Sequence, residues 1–223
     1  MSLNLEISQI LEGAGCKIFG YANLRSLPAG MHQGLDFGII MGVPYTPQGM
    51  IENLKGNHER LALDSEATIE PLEKFERAII KFLKERKYKT SITYRKTGYS
   101  NGITHKIMGT LSGLGWIGRC AILTTEKYGP TLRLTAVLTN APLECGKPIT
   151  KSLCPPECNV CENICPTNAI KEGLWEQGIH RDTFFDVNAC RKKLNKSNGV
   201  CGLCISACPL TKRGLGYELK EIK

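Results

Sequence analysis

Four cysteines fall within twelve positions of "CPPECNVCENICP", and a variant of the block returns near the C-terminus. "CNVCENICP" at 158–166 and "CGLCISACP" at 201–209 agree at every cysteine and at the proline, offset by 43 residues. Each block has one further cysteine upstream, Cys154 before the first and Cys190 before the second. The full patterns are C-x3-C-x2-C-x3-C-P and C-x10-C-x2-C-x3-C-P. Clustered thiols of this kind are ligands. Three closely spaced cysteines curl the chain around one iron–sulfur cubane, and the cysteine ahead of the proline points to a second one. The spacing therefore predicts one [4Fe-4S] cluster on Cys154, Cys158, Cys161 and Cys208, and another on Cys190, Cys201, Cys204 and Cys165. Ligation crossed in this way staples both blocks into one small ferredoxin-like domain. Two zinc ribbons would also use eight cysteines in C-x2-C pairs. The C-x3-C-P ending and the repeat, which tetrahedral zinc does not need, favour iron and sulfur.

The other three of the eleven cysteines are scattered. Cys16 and Cys120 lie in apolar runs and read as small buried hydrophobes in strands. Cys145 competes with Cys154 as first ligand, at a less suitable distance. The opening "MSLNLEISQILEGAG" has no basic region followed by an apolar core, and no run of eighteen apolar residues occurs. The expectation is a soluble cytoplasmic protein, away from membranes, whose thiols stay reduced. Hydrophobic content of 42% and charged content of 22% are ordinary for a globular chain. The net charge of +8 speaks first to solubility. Two ligated clusters at about −2 each would lower it to about +4. Arg191, Lys192, Lys193 and Lys196 form a basic run between cluster ligands, a solvated loop or a surface for phosphate or an acidic partner.

Elements must position these thiols. Residues 1–145 read as an α/β or α+β domain with at least five strands, and residues 146–223 as the cysteine-rich domain. "ISQILEGAG" and Leu72–Arg86 carry apolar residues at helical spacing. "CKIFGYANL" and "LDFGIIMGVP" are of strand length, and "VPYTPQGM" reads as a loop. "YKTSITYR" alternates as a half-buried strand does, and "THKIMGTLSG" reads as a helix. "RCAILTT" and "TLRLTAVLT" read as a strand pair around the turn "KYGP". From 146 onward apolar periodicity fades, so covalent or metal cross-links must order the segment.

"GLGWIG" at 113–118 matches G-x-G-x-x-G, but a helix precedes it and a strand follows. The dinucleotide fingerprint needs the reverse order, so nicotinamide binding through it is rejected.

The stretch "SGLGWIGRCAILTTEKYGPTLRLTAVLTNAPLE", followed by both cysteine motifs with "CPTNAI" between them, resembles the epoxyqueuosine reductases and the corrinoid-dependent reductive dehalogenases. The resemblance covers nearly the whole chain, and its specific part runs from Gly113 to Pro209. It implies an α+β architecture: a nitroreductase-like α/β domain over 1–145 that cradles cobalamin, then a ferredoxin-like domain over 146–223. Two [4Fe-4S] clusters would deliver electrons to cobalt, whose reduced state attacks an epoxide-derived carbon or a carbon–halogen bond. On that view Gly113, Gly115, Trp116, Gly118 and Arg119 approach the cofactor, although tight turn geometry explains the glycines equally well. The chain departs from the pattern in three places. "RKTGYSNGIT" contains no acidic proton donor, the chain ends soon after Cys208 where many relatives continue into helical repeats, and an export signal is absent. The expectation is a short form of the family.

Candidates for a proton donor are Tyr99, His105 and Lys106, just before the glycine stretch. The resemblance implies reduced ferredoxin or flavodoxin as electron donor, with a small-molecule or tRNA-borne substrate. Two alternatives remain: a non-catalytic electron carrier or reductive activator of a partner protein, and a reductase that holds FMN.

Overall fold

A computed structural model describes residues 2–93, 104–196 and 199–218 of the 223. In chain order its elements are α1 (Leu3–Gly13), β1 (Ile18–Asn23), α2 (Ala29–His32), β2 (Phe37–Pro44), α3 (Pro47–Leu54), α4 (His58–Ala67), α5 (Ile69–Glu85), β3 (Thr90–Ile92), α6 (His105–Leu111), β4 (Trp116–Ile117), β5 (Leu123–Thr124), β6 (Leu132–Thr139), α7 (Val160–Asn163), α8 (Val187–Lys196), α9 (Leu203–Ala207) and α10 (Pro209–Leu215). They divide into two compact units.

The first unit comprises Met1–Val43, Thr68–Leu114 and Arg133–Ile149. Its sheet has the order β1-β2-β6-β3. β1 runs antiparallel to β2, with Ile18 opposite Gly42, and β3 runs antiparallel to β6, with Thr90 opposite Thr139. Successive side chains of a strand point to opposite faces, and both faces here are buried. Phe37, Ile39 and Met41 of β2 join Val137 of β6 in one core with Ile7 and Leu11 of α1 and with Leu72, Phe75, Ile79 and Leu83 of α5. Ile40, Ala136 and Leu138 face the other way, onto Met108 of α6. Strands covered on both sides read as continuous apolar runs, as "FGIIMGVP" does; in "LRLTAVLT" the polar Thr135 and Thr139 are buried as well. Gly38 leaves the room that Met108 occupies. Ile79 is fully buried between helix and sheet; Ile79→Ala is expected to lower unfolding stability by about 2–5 kcal/mol, read as a lower denaturant midpoint at unchanged slope.

The second unit comprises Pro44–Ala67, Gly115–Leu132 and Thr150–Lys223. The cysteine-rich segment thus shares a unit with α3, α4 and the β4–β5 hairpin, a different division from a single break near 145. Met50, Leu61 and Tyr217 form its small core. The α3–α9 contact carries a buried polar chain: His58 Nδ1 meets Asn53 Oδ1 at 2.7 Å, and Asn53 Nδ2 donates to Ser206 Oγ at 2.8 Å.

Two local expectations need correction. "RCAILTT" and "TLRLTAVLT" do not pair. β5 pairs with β4, Thr125 forms a lone bridge to Gly129 across the "KYGP" turn, and β6 enters the main sheet. The largely buried β6 gains two strand neighbours there, where a hairpin would give it one. "VPYTPQGM" is not all loop, because α3 starts at Pro47. Thr46 caps it by accepting from Gly49 N at 3.0 Å, and proline suits the first helical position, where no N–H is needed.

Candidate metal centre

Cys154, Cys158, Cys161 and Cys208 come together within the second unit. Burial raises the Cys161 thiol well above its ordinary pKa, and repulsion among the thiolates of Cys120, Cys208, Cys154 and Cys158 adds to the rise. Burial likewise pushes the Cys208 thiol up to about 11, against the pull of the Thr211 and Leu210 N–H groups. The thiols of Cys161 and Cys208 therefore resist ionising, and a cationic iron centre would reverse that preference. Among the described residues, no three His, Cys, Asp or Glu side chains converge as around a single metal ion. A cubane asks for something different, namely one thiolate on each of four irons.

The local backbone explains how the ligands are presented. After Cys165 the chain turns through Pro166 and through Asn168 in the left-handed region (φ 49°), with Asn168 N bonded to Cys165 O. That turn aims N–H groups at the sulfur. Ala169 N donates to Cys165 Sγ at 3.3 Å. Burial raises the Cys165 pKa, but the combined hydrogen bonds from Thr167, Ala169 and Ile170 outweigh it and the net direction is down. Those hydrogen bonds favour the thiolate over the thiol. Cys190 stands in the first turn of α8, where Asp186 Oδ1 accepts from Asn188 N and Ala189 N. Cys201 and Cys204 flank Gly202, which takes the left-handed region (φ 65°) at the start of α9.

The loop from β4 to β5 packs on this thiol group. Trp116 Nε1 donates to Cys154 Sγ at 3.4 Å. Gly118 has Cys154 Sγ 3.6 Å from where its Cβ would be. Arg119 donates from Nη2 to Pro156 O at 2.9 Å and pairs with Glu162 at 3.7 Å. Its guanidinium is 9% exposed, and its Nε is buried without a partner. An unmet buried donor costs about 1–3 kcal/mol, so this orphan argues for an acceptor that belongs at the site. The sulfurs of an iron–sulfur cluster supply one, and the residues present fit such a group.

Cys120 is buried as expected, yet it occupies a turn, not a strand, with Ala121 N bonded to Gly118 O. A hydrogen bond with Cys204, then burial, then nearby thiolates raise its pKa well above the usual value. No local signal marks this residue, because it belongs to neither C-x2-C block. Cys16 packs in the sheet core of the first unit and donates to Ile18 O at 3.4 Å. Cys145, also in the first unit, donates to Leu143 O, whereas Cys154 lies with the other clustered cysteines in the second.

The residues first linked to a corrinoid have partners inside the protein. A Cβ on Gly113 (φ 72°) would lie 2.6 Å from Lys147 O, and one on Gly115 would strike Thr124 O. Tight packing accounts for both glycines. Among the proton-donor candidates, Tyr99 lies outside the described residues. His105 opens α6 in the first unit with Nε2 2.7 Å from Thr93 Oγ1. That hydroxyl donates to Ala136 O, so it accepts from the imidazole and ties the ring to the sheet. Lys106 is exposed in the same turn.

Against known proteins, no family model matches the chain. The tetrachloroethene reductive dehalogenase of Sulfurospirillum multivorans is 35% identical over 124 residues, 50% of this chain and 25% of that protein. The epoxyqueuosine reductase of Atelocyanobacterium thalassa is 31% identical over 141 residues, 60% of this chain and 44% of that protein. The chain is related to both groups of reductases. It spans between a quarter and under half the length of those two relatives. The mixed α/β fold agrees with this kinship. A solved reductive dehalogenase, described as suggesting a mechanism for B12-dependent dehalogenation, covers 94% of this chain at a TM-score of 0.75, with 18% identity and 32% of its own length. An epoxyqueuosine reductase solved with an epoxyqueuosine-modified tRNA stem loop covers 94% at a TM-score of 0.65, with 18% identity and 65% of its length. Among the described residues, no helix is long and apolar enough to cross a membrane.

Proposed function

We propose that the chain is an iron–sulfur oxidoreductase of the reductase type its relatives represent. Its second unit would hold one [4Fe-4S] cluster on Cys154, Cys158, Cys161 and Cys208, and another on Cys165, Cys190, Cys201 and Cys204. The observation that carries this reading is the company of Cys161, whose thiol neighbours include the other three of the first set. Such clusters accept and pass single electrons when bound, and a corrinoid would supply the reducing nucleophile. The chain's own part is to present thiolates, to aim N–H groups at Cys165 and Cys208, and to bury the set away from water. Burial strengthens each of those electrostatic contacts.

Corrinoid binding rests on kinship, since the residues first assigned to it are engaged within the protein. No step is derived through it. The relatives' names support an organohalide or a tRNA-borne epoxide as substrate; reduced ferredoxin or flavodoxin is the proposed donor. The test is anaerobic reconstitution with iron and sulfide analysis, followed by titration with cob(II)alamin watched by EPR and visible absorption. The expected outcome is about eight irons per chain and a saturable change in the cobalt signal. Eight irons without cobalamin binding would leave an electron carrier or reductive activator, or an FMN protein. Stoichiometric zinc retained in place of iron would overturn the cluster reading itself.

A further inference from the structure

We propose that Cys120 is a reserve ligand of the second cluster, able to take the iron of Cys204 when that thiolate is lost. The inference rests on the two-cluster reading above and adds a ninth thiol to its eight.

Cys120 belongs to neither cysteine block, yet the fold seats it among them. It is carried by the loop from β4 to β5. Trp116, where that hairpin begins, donates from Nε1 to Cys154 Sγ at 3.4 Å. Cys154 Sγ also lies 3.6 Å from where a Cβ on Gly118 would be, so the loop runs directly against a ligand sulfur. The chain then turns tightly. Ala121 N bonds to Gly118 O, and Ala121 takes the left-handed region (φ 58°), which residues other than glycine seldom adopt. Cys120 sits inside this turn and is buried. Its thiol forms a hydrogen bond with Cys204, and Cys154, Cys161 and Cys208 are further thiol neighbours. Cys120 therefore stands within a group of sulfurs, where Cys16, the other buried cysteine outside the blocks, packs in the sheet core.

The kind of contact selects the ligand. A hydrogen bond needs the two sulfurs side by side, whereas the charge interactions with Cys154, Cys161 and Cys208 act over longer distances. Cys204 is thus the ligand that Cys120 is placed to replace. A cubane takes one thiolate on each iron, so with Cys204 in place the coordination is full and Cys120 stays a hydrogen-bonding thiol. With Cys204 removed, the Cys120 sulfur bonds iron and its S–H proton passes to water. The step releases one proton and moves no electron.

Each variant is made in the full chain, reconstituted anaerobically, and assayed for iron, sulfide and EPR signals in the reduced and oxidised states. Cys204→Ala is expected to keep about eight irons and both cluster signals, and Cys120→Ala alone to do the same. Cys120→Ala combined with Cys204→Ala should lose one cluster and fall to about four irons. Cys201→Ala, a ligand of the same set and block, should also fall to about four although Cys120 is intact. A Cys120 that only fills space predicts a different result for Cys204→Ala alone: about four irons, or about seven with a three-iron signal on oxidation. Either would overturn the proposal. Full iron in the double variant would overturn it too, since another group would then be the substitute. Full iron in Cys201→Ala would show that the set tolerates any missing thiolate, and loss of a cluster from Cys120→Ala alone would make Cys120 a resident ligand; each is equally fatal. Should Cys204→Ala not fold, Cys204→Ser decides by the same criteria, and failure of both to fold with iron counts against rescue. Wild type that takes up only about half of the eight irons would defeat the two-cluster reading instead.

Discussion

A Cys208→Ser chain, reconstituted anaerobically, is expected to hold about four irons in place of about eight, with one EPR signal lost and the other kept. Cys208 ends α9 and, with Pro209 at the first helical position, begins α10. That junction places its thiol in the company of Cys161 and Cys154. The surroundings hold it there. Ser206 Oγ accepts from Asn53 Nδ2, and Tyr217 OH donates to Ser206 O at 2.5 Å. Serine keeps the size and loses the sulfur, and its hydroxyl does not ionise near neutral pH as a ligand must. The crossed assignment makes the prediction sharp, because the cysteine removed belongs to the second motif while the cluster lost is the one on the first. Cys16→Ser and Cys145→Ser are the controls. Both residues lie in the first unit and should leave the iron content unchanged. Eight irons on Cys208→Ser, or loss of the signal assigned to the second set, would refute crossed ligation.

The parts of this protein that were legible in the sequence are those decided locally. Leu72, Phe75, Ile79 and Leu83 recur at helical spacing because one helix face meets one sheet face, and α5 buries those residues. The cysteine blocks stand out for the same reason, since three of the ligands proposed for the first cluster lie within eight positions of one another. Pairing is not local. "TLRLTAVLT" reads correctly as a strand, but nothing within it says that its neighbours are β2 and β3 rather than the preceding run. The division into units is hidden likewise, because Pro44–Ala67 joins the cysteine segment through contacts such as Asn53 to Ser206, 153 positions apart. "GLGWIG" shows a third limit. Glycine spacing reports that the backbone comes close to something, and the close neighbours prove to be Lys147 and Thr124. Trp116 and Arg119 were singled out for a cofactor face, and both contact the loop of Cys154. Cys120 gave no signal at all, because its importance lies in the thiols around it.

Removing the iron is expected to loosen the cysteine segment and spare the sheet. In the first unit Ile7, Leu11, Ile39, Met41, Ile79, Leu83 and Val137 are fully buried in one core, at roughly 25 cal/mol per Å² of apolar surface withdrawn from water. Among the described residues from 150 onward, the buried apolar side chains are Ala169, Ile170, Phe184, Ala207 and Tyr217. So few cannot offset the conformational entropy of ordering some seventy residues at about 1–2 kcal/mol each. On the proposed function the clusters supply the remaining stabilisation, because binding energy of that kind is folding energy. After chelation under anaerobic conditions, amides in 158–170 and 201–215 should exchange at least about a hundredfold faster, which corresponds to about 2.7 kcal/mol. Amides of β2 and β6 should keep their protection. Residues near Asn53 should respond in between, since α3 retains Met50 and Leu61 but loses a fixed Ser206. Uniform loss across both units would mean that the sheet depends on the clusters as well. No change in either would mean that the segment is ordered by its own contacts, and the thiols would then be passengers of the fold rather than its staples.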